Sequence, residues 1–325
     1  MPTDQIIEED LVTVTETTAI AAAHTMGLGE GDRSDRVAVE AMHGALAGCD
    51  LAGRVVIGKA TPGSLLRVGD AVGSLDAGDG AEPVDVAVYP LEGVSLCATG
   101  TPGAVAALAT AEHGDLLEAP DAYMEKLVVG PTARGVVHLD APVPENLRNI
   151  ARAFGREVSD LTVVVLDRER HRQLIADIRD AGARIRLISD GVLAAEISAA
   201  VRGTGVHAVM GTGRAPEGVI AAAAMRCLGG EIQGRLVALD EEQEKSLADF
   251  GFTDLERIYN TADLARGERL LFSCTGVTDG ELLRGVRFFG GGTRTSSLFM
   301  SLAGGVVRFI DTIRREEPSS PLQFR

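Results

Sequence analysis

Residues 161–228 read LTVVVLDRERHRQLIADIRDAGARIRLISDGVLAAEISAAVRGTGVHAVMGTGRAPEGVIAAAAMRCL. Three short apolar runs, Leu161–Leu166, Arg184–Ile188 and Val206–Gly211, have the length and β-branched content of buried strands. Helical patterns follow each of them: His171–Ala181, a segment after Asp190-Gly191, and Ala215–Leu228 with Pro216 in its first turn. Strict strand–helix alternation predicts a sheet flanked by helices, hence an α/β fold.

Towards the N-terminus the rhythm is looser. An alanine-rich helix is expected over Glu8–Gly27, then an acidic glycine loop over 29–35 and a second helix over Val37–Ala47. Strands are expected at Arg54–Gly58, at Asp85–Tyr89 ended by Pro90, at 95–99, at 104–111 and at Met124–Val129, with a loop-rich stretch over 61–84. A helix is expected over Pro142–Phe154, where Leu147, Ile150, Ala151 and Phe154 share a face. Mixed strands and short helices are expected over 231–315 and a loose tail over Glu316–Arg325. The change of rhythm near residue 158 sets the expected boundary between two domains, 1–157 and 158–325.

Composition narrows the function. The 325 residues carry a formal net charge of −16, from 47 acidic and 31 basic side chains. Such a field repels a polyphosphate backbone and an anionic membrane, so neither nucleic acid nor membrane is an expected partner. It leaves room for a small phosphorylated ligand, because a few arginines reverse the sign locally. The four cysteines form no CxxC, and the six histidines form no HxH or HExxH. Free thiols and a cytoplasmic location are expected, and zinc is not.

Chemistry belongs at strand ends in such folds. Ile57-Gly58-Lys59-Ala60-Thr61-Pro62 and Val88-Tyr89-Pro90-Leu91-Glu92-Gly93-Val94-Ser95 are two of them. Gly211-Thr212-Gly213-Arg214-Ala215-Pro216-Glu217-Gly218 is a glycine turn into a helix, suited to an anion through its free N–H groups or to a cation through Glu217. Ser189-Asp190-Gly191 is another strand-to-helix turn, and Arg168 and Arg170 follow a strand in the same way. Plainer readings stand beside these. Asp190 is also a helix N-cap, Glu217 complements a helix dipole, Tyr123 is also a core aromatic, and the arginines also make a solvated face.

Several long strings then carry a resemblance: residues 119–131, Ala119-Pro120-Asp121-Ala122-Tyr123-Met124-Glu125-Lys126 and onward; Glu145-Asn146-Leu147-Arg148-Asn149; Ala215-Pro216-Glu217-Gly218-Val219; and Ser273-Cys274-Thr275-Gly276-Val277-Thr278. Over about 11–315 the chain resembles the class II fructose-1,6-bisphosphatases, which have the metal-dependent, lithium-sensitive sugar-phosphatase fold. The resemblance implies a layered architecture of two α/β domains with the active-site cleft between them, an N-terminal metal-site domain and a C-terminal sugar-phosphate-binding domain. It implies Mg²⁺ or Mn²⁺, a homo-oligomer, and hydrolysis of fructose 1,6-bisphosphate to fructose 6-phosphate in carbohydrate metabolism and gluconeogenesis. The matching metal positions are Asp35, Glu92 and Glu217. The matching or neighbouring substrate positions are Glu92, Gly93, Tyr123, Arg168, Arg170, Asp190, Gly191 and Arg214.

Departures from the family wording cluster. Lys59 and Thr61 stand where IGEGE has glutamates, Tyr89 where DPIDGT has its aspartate, and Val94 where it has its catalytic threonine. Val192 replaces an aspartate, Arg214 a glycine, and Glu30-Gly31-Asp32 the GDKN wording with its lysine. An ammonium donates no lone pair to a metal, so the readings are three: one weak ion site from Asp35, Glu92 and Glu217; Lys59 in the ion's place, paired with Asp35 or Glu92 and able to hold a phosphate; or Lys59 and Tyr89 as solvated or packed residues. Three functions follow: a metal-dependent sugar-bisphosphate phosphatase, a phosphosugar-binding or regulatory homologue without turnover, and an altered enzyme using Lys59.

Overall fold

The structure is a computed structural model and describes residues 2–59, 63–75 and 81–315. The chain divides into two compact units, Met1–His113 with Leu271–Arg325, and Gly114–Leu270. The boundary expected at 157/158 is therefore corrected. The rhythm of the sequence changes there, but strand pairing does not: the segment after Leu270 returns to the sheet begun before His113.

In the first unit, helices α1 (Pro2–Ala23) and α2 (Gly31–Leu46) pack on each other. The unit's strands are β1 (Ala52–Ile57), β2 (Ala71–Val72), β3 (Pro83–Glu92), β4 (Val105–Glu112), β11 (Leu271–Gly276), β12 (Arg287–Phe289), β13 (Gly292–Ser301) and β14 (Val306–Arg315). They form one eight-stranded sheet in which β12, β13, β11, β4, β3, β1 and β2 are successive neighbours and β14 pairs with β13. Among the described strand pairs of this sheet, β1 and β3 run parallel and the others antiparallel. Met42 and Leu46 on α2, Leu11 and Val14 on α1, and Val55, Val86, Leu108 and Phe299 of the sheet make the core. Burial of such side chains is the main stabilising term, about 1.5–3 kcal/mol for each large one.

The second unit has a six-stranded sheet. Its strands are β5 (Tyr123–Val129), β6 (Thr162–Leu166), β7 (Arg184–Ile188), β8 (Ala208–Arg214), β9 (Glu231–Val237) and β10 (Ile258–Tyr259), in the order β10-β9-β5-β8-β6-β7. Strands β7 and β8 flank β6 in parallel, while β5 runs antiparallel to β8 and β9. On one face, α4 (Val143–Phe154) and α5 (Arg172–Asp180) share a core with Leu127, Val129, Val163, Val165 and Met210. On the other lie α6 (Val192–Ala200) and α7 (Ala215–Leu228). Ala221–Ala224 of α7 are completely buried. The expected helix-flanked sheet is present, and the layered α/β architecture with it.

Four local expectations are revised. Residues 95–99 form a helix, α3 (Val94–Thr99), held between the left-handed residues Gly93 and Gly100 (φ 82° and 70°). A short apolar run does not distinguish strand from helix. Strand β3 continues past Pro90, because the register shifts between Tyr89 and Glu92 and the missing N–H of Pro90 falls in that irregularity. The stretch 31–35 is the first turn of α2, with Asp32 near its positive end, so Asp35 sits on a helix and not on a loop. Asp190 is not the helix cap. Gly191 (φ 82°) takes that position, and Asp190 Oδ1 accepts from its N–H at 3.1 Å. Thr61 and the tail 316–325 lie outside the described residues.

Candidate active site

The parallel pair β1 and β3 ends, at its carboxyl side, in the two stretches singled out from the sequence. After β1, Gly58 sits under the Leu66 carbonyl; a Cβ there would lie 2.2 Å from that oxygen. The next residue, Lys59, donates its backbone N–H to the same carbonyl at 2.9 Å. Leu66 itself is fully buried at φ 58°, the one non-glycine residue with positive φ among the described residues. A bulky side chain rarely adopts that region, so burial must hold it there.

The Lys59 ammonium forms an ion pair with Asp35 Oδ1, and each side chain is a little under one-third exposed. The pairing expected for Lys59 is thus made with Asp35, near the start of α2. Glu92, at the end of β3, is 1 % exposed, and Gly93 follows it in the left-handed conformation. Tyr89 is half-buried opposite Ala107 of β4, and Val94 opens α3. Lys59, Glu92 and Gly93 therefore share the carboxyl edge of one parallel pair.

Glu217 belongs to the second unit. It lies at the third position of α7, where its Oε2 accepts the Arg214 N–H at 3.3 Å, so the dipole-complementing reading holds for it. The Lys126 ammonium, on β5, stands 3.7 Å from the same oxygen and 2.8 Å from Oε1 of Glu196 on α6. Successive strand residues face opposite sides, so Lys126 joins Met124 on the α6–α7 face, where Met124 and Lys126 both approach Gly218. Lys126 and Glu196 are almost fully buried. Burial pushes the Glu196 carboxyl up to about 7, opposed by the adjacent Lys126.

The carboxyl ends of β6, β7 and β8 carry the remaining candidates. Arg170 donates from Nε and Nη2 to the Thr212 carbonyl at 3.1 and 2.8 Å, and its guanidinium stands 5.3 Å from the centre of the Tyr123 ring. Arg168 donates to the Ser189 carbonyl at 2.6 Å. Arg214 pairs with Asp121 at the surface. Tyr123 lies opposite Arg214 in the β5–β8 register, which brings Tyr123, Arg170 and Arg214 to one end of the sheet. His171 beneath them is fixed as a neutral ring. Its Nδ1–H donates to the Leu166 carbonyl and its Nε2 accepts from the Thr212 N–H, both at 2.8 Å, and burial lowers its pKa. The open ring of groups is cationic and aromatic, suited to a sugar bearing a phosphate.

Sequence reasoning gave no role to Lys126 or Glu196. Their signal was available as single charges inside apolar segments, Met124–Val129 and Val192–Ala200, since lone buried charges of opposite sign must find each other.

A divalent ion does not fit the expected ligand set. One carboxylate oxygen of Asp35 holds an ammonium, Tyr89 offers a phenol in place of a carboxylate, and Glu217 is engaged by Lys126 and a backbone N–H. No group of three or more His, Cys, Asp or Glu side chains able to hold a metal is found among the described residues. A double charge 4 Å from an ammonium is repelled by about 8 kcal/mol at an effective dielectric of ~20. Magnesium and manganese both require several oxygen donors.

The model of the family described as bacterial fructose-1,6-bisphosphatase, glpX-encoded, matches residues 5–314. A D-fructose 1,6-bisphosphatase class 2/sedoheptulose 1,7-bisphosphatase of Synechococcus sp. (strain JA-3-3Ab) is 46% identical, over 97% of this chain and 98% of that protein. Proteins of the same name from Synechococcus elongatus and Synechocystis sp. are 44% and 43% identical, over 99% of this chain in both cases and 100% and 99% of the relative.

Proposed function

Because the chain belongs to the class II fructose-1,6-bisphosphatase family, we propose that it is a sugar-bisphosphate phosphatase, cleaving a phosphomonoester of D-fructose 1,6-bisphosphate or sedoheptulose 1,7-bisphosphate, the substrates in its relatives' names. The observation that carries the reading is the ring at the carboxyl ends of β6–β8. Arg170 is fixed by two hydrogen bonds to the Thr212 carbonyl and stacked on Tyr123. Its remaining donors are pre-ordered for an anion, and Tyr123 offers a flat wall and a hydroxyl to a sugar. Arg168, Asp190, Gly191 and Arg214 complete the sugar-phosphate site in this reading, and the unit 114–270 is its carrier.

The family in general depends on a divalent metal, and Mg²⁺ or Mn²⁺ is the ion implied by the resemblance. The donors present do not suit that ion. Within the second unit the chain's own groups supply charge: Arg168, Arg170 and Arg214 bind phosphate, and the neutral His171 holds Thr212 in place. The relatives' names point to hydrolysis, and nothing in them favours a subunit without turnover or lysine-based chemistry.

A cytoplasmic location and a homo-oligomer belong to the same proposal. All four cysteines are free, which suits a reducing compartment. No helix among the described residues is long and apolar enough to cross a membrane. Exposed Val307 and Phe309 on β14 are the kind of apolar surface that a second copy covers.

The deciding experiment is phosphate release from each bisphosphate, with fructose 6-phosphate as the control and Arg170→Ala beside the unaltered chain. Release from a bisphosphate alone, reduced by the substitution, supports the reading. Absence of release from either bisphosphate across metals and pH refutes it.

A further inference from the structure

Lys59 is held in place from two directions. Its backbone is tied to the carbonyl of Leu66, a buried leucine kept at φ 58°, and Gly58 leaves the room that this approach needs. Its ammonium is tied to Asp35 and stays partly open to solvent. Backbone strain persists only where surrounding packing enforces it, and such outliers gather at working sites. An ammonium has three donors and no acceptor, so pairing with one carboxylate oxygen leaves donors free for another anion. The position at the carboxyl end of a parallel strand pair is where α/β folds present ligands.

We infer that Lys59 is a resident cation: its ammonium, oriented by Asp35, binds a phosphate group of the substrate directly and replaces a divalent ion at this edge of the first unit. The inference rests on the proposed function for the identity of the phosphate ester, and on the Lys59–Asp35 geometry for everything else. Asp35 becomes a positioning residue that fixes the ammonium, and Leu66 and Gly58 fix the backbone that carries it.

The test uses the full chain, stripped of metal with EDTA and dialysed. Mn²⁺ alone is titrated calorimetrically, and fructose 1,6-bisphosphate binding is then measured with and without EDTA, for the unaltered chain, Lys59→Met, Lys59→Arg and Lys59→Glu. The unaltered chain should show no saturable Mn²⁺ binding below millimolar concentrations and bisphosphate binding insensitive to EDTA. Lys59→Met should weaken that binding by about 10- to 100-fold, the loss of one charge-assisted hydrogen bond. Lys59→Arg should retain most of the affinity, which also controls for folding, and Lys59→Glu should gain Mn²⁺ binding. Saturable submillimolar Mn²⁺ binding by the unaltered chain, or bisphosphate binding abolished by EDTA, overturns the inference. Failure of the unaltered chain to bind either bisphosphate refutes the proposed function instead, and the Mn²⁺ titration then judges the replacement of the ion alone.

Discussion

The Lys126 ammonium lies 2.8 Å from Oε1 of Glu196, with both side chains sealed between β5 and the helices α6 and α7. Nothing at the surface shows this pair, since both residues are buried. Removing the ammonium leaves the Glu196 carboxyl without its partner in a small cavity that His171, Val192, Met210 and residues 211–213 also line. Lys126→Met should destabilise the chain by about 3–5 kcal/mol, the usual cost of breaking a buried pair from one side. Urea denaturation measures it. A loss below 1 kcal/mol would mean that the pair is dispensable.

Glu196 also makes stability depend on pH. Its carboxyl is raised to about 7 by burial from an ordinary value of 4.5. Between those values the folded chain holds a proton that the unfolded chain has released, so this group's contribution is full at low pH and declines as pH rises towards 7. Glu196→Gln lacks the decline. Its melting temperature relative to the unaltered chain should therefore rise between pH 5 and pH 8, by scanning calorimetry. A constant offset would contradict the assignment.

Arg170 and Arg214 should behave differently, although both are arginines at the same sheet end. Arg170 is fixed on Thr212 and Tyr123, so Arg170→Lys should lower bisphosphate affinity at least about tenfold, since an ammonium does not reproduce the planar fork. Arg214 forms an exposed ion pair with Asp121. Arg214→Gly should cost less than about 1 kcal/mol of stability. In the proposed function it should alter the preference between the six- and seven-carbon bisphosphates. Competition binding and thermal melts separate the two.

Gly58→Ala provides a test of the backbone beside Lys59. The new methyl would meet the Leu66 carbonyl oxygen at 2.2 Å and Val55 Cγ1 at 2.7 Å. The strand end must shift, at about 1–3 kcal/mol. Phosphate binding should fall with stability if Lys59 acts as inferred. A destabilised variant with unchanged binding would detach the strand end from the site.

The sequence made the second unit's alternation legible because each strand and helix announces itself within ten residues. The pairing of Lys59 with Asp35 was also legible, as one of two expected partners. Other features depend on contacts that no local pattern encodes. Arg214 reaches Asp121 across 93 positions, and the run 95–99 became helical because two left-handed glycines enclose it. The strained Leu66 had no signal, since any apolar residue in a loop-rich stretch reads alike. Lys126 and Glu196 did have one, but each lay in an otherwise apolar element whose regularity drew attention from its single charge.

The interruption of the first unit by the second has a consequence for biogenesis. Strand β11 pairs with β4, Leu271 opposite Thr110, so the eight-stranded sheet lacks its middle until residue 271 has been made. The segment 114–270 is continuous and has its own core. During synthesis it is the part able to close first, domains generally folding as units. The apolar edge of β4 meanwhile waits for a partner delivered late, which makes it the stretch of the nascent chain most in need of a chaperone.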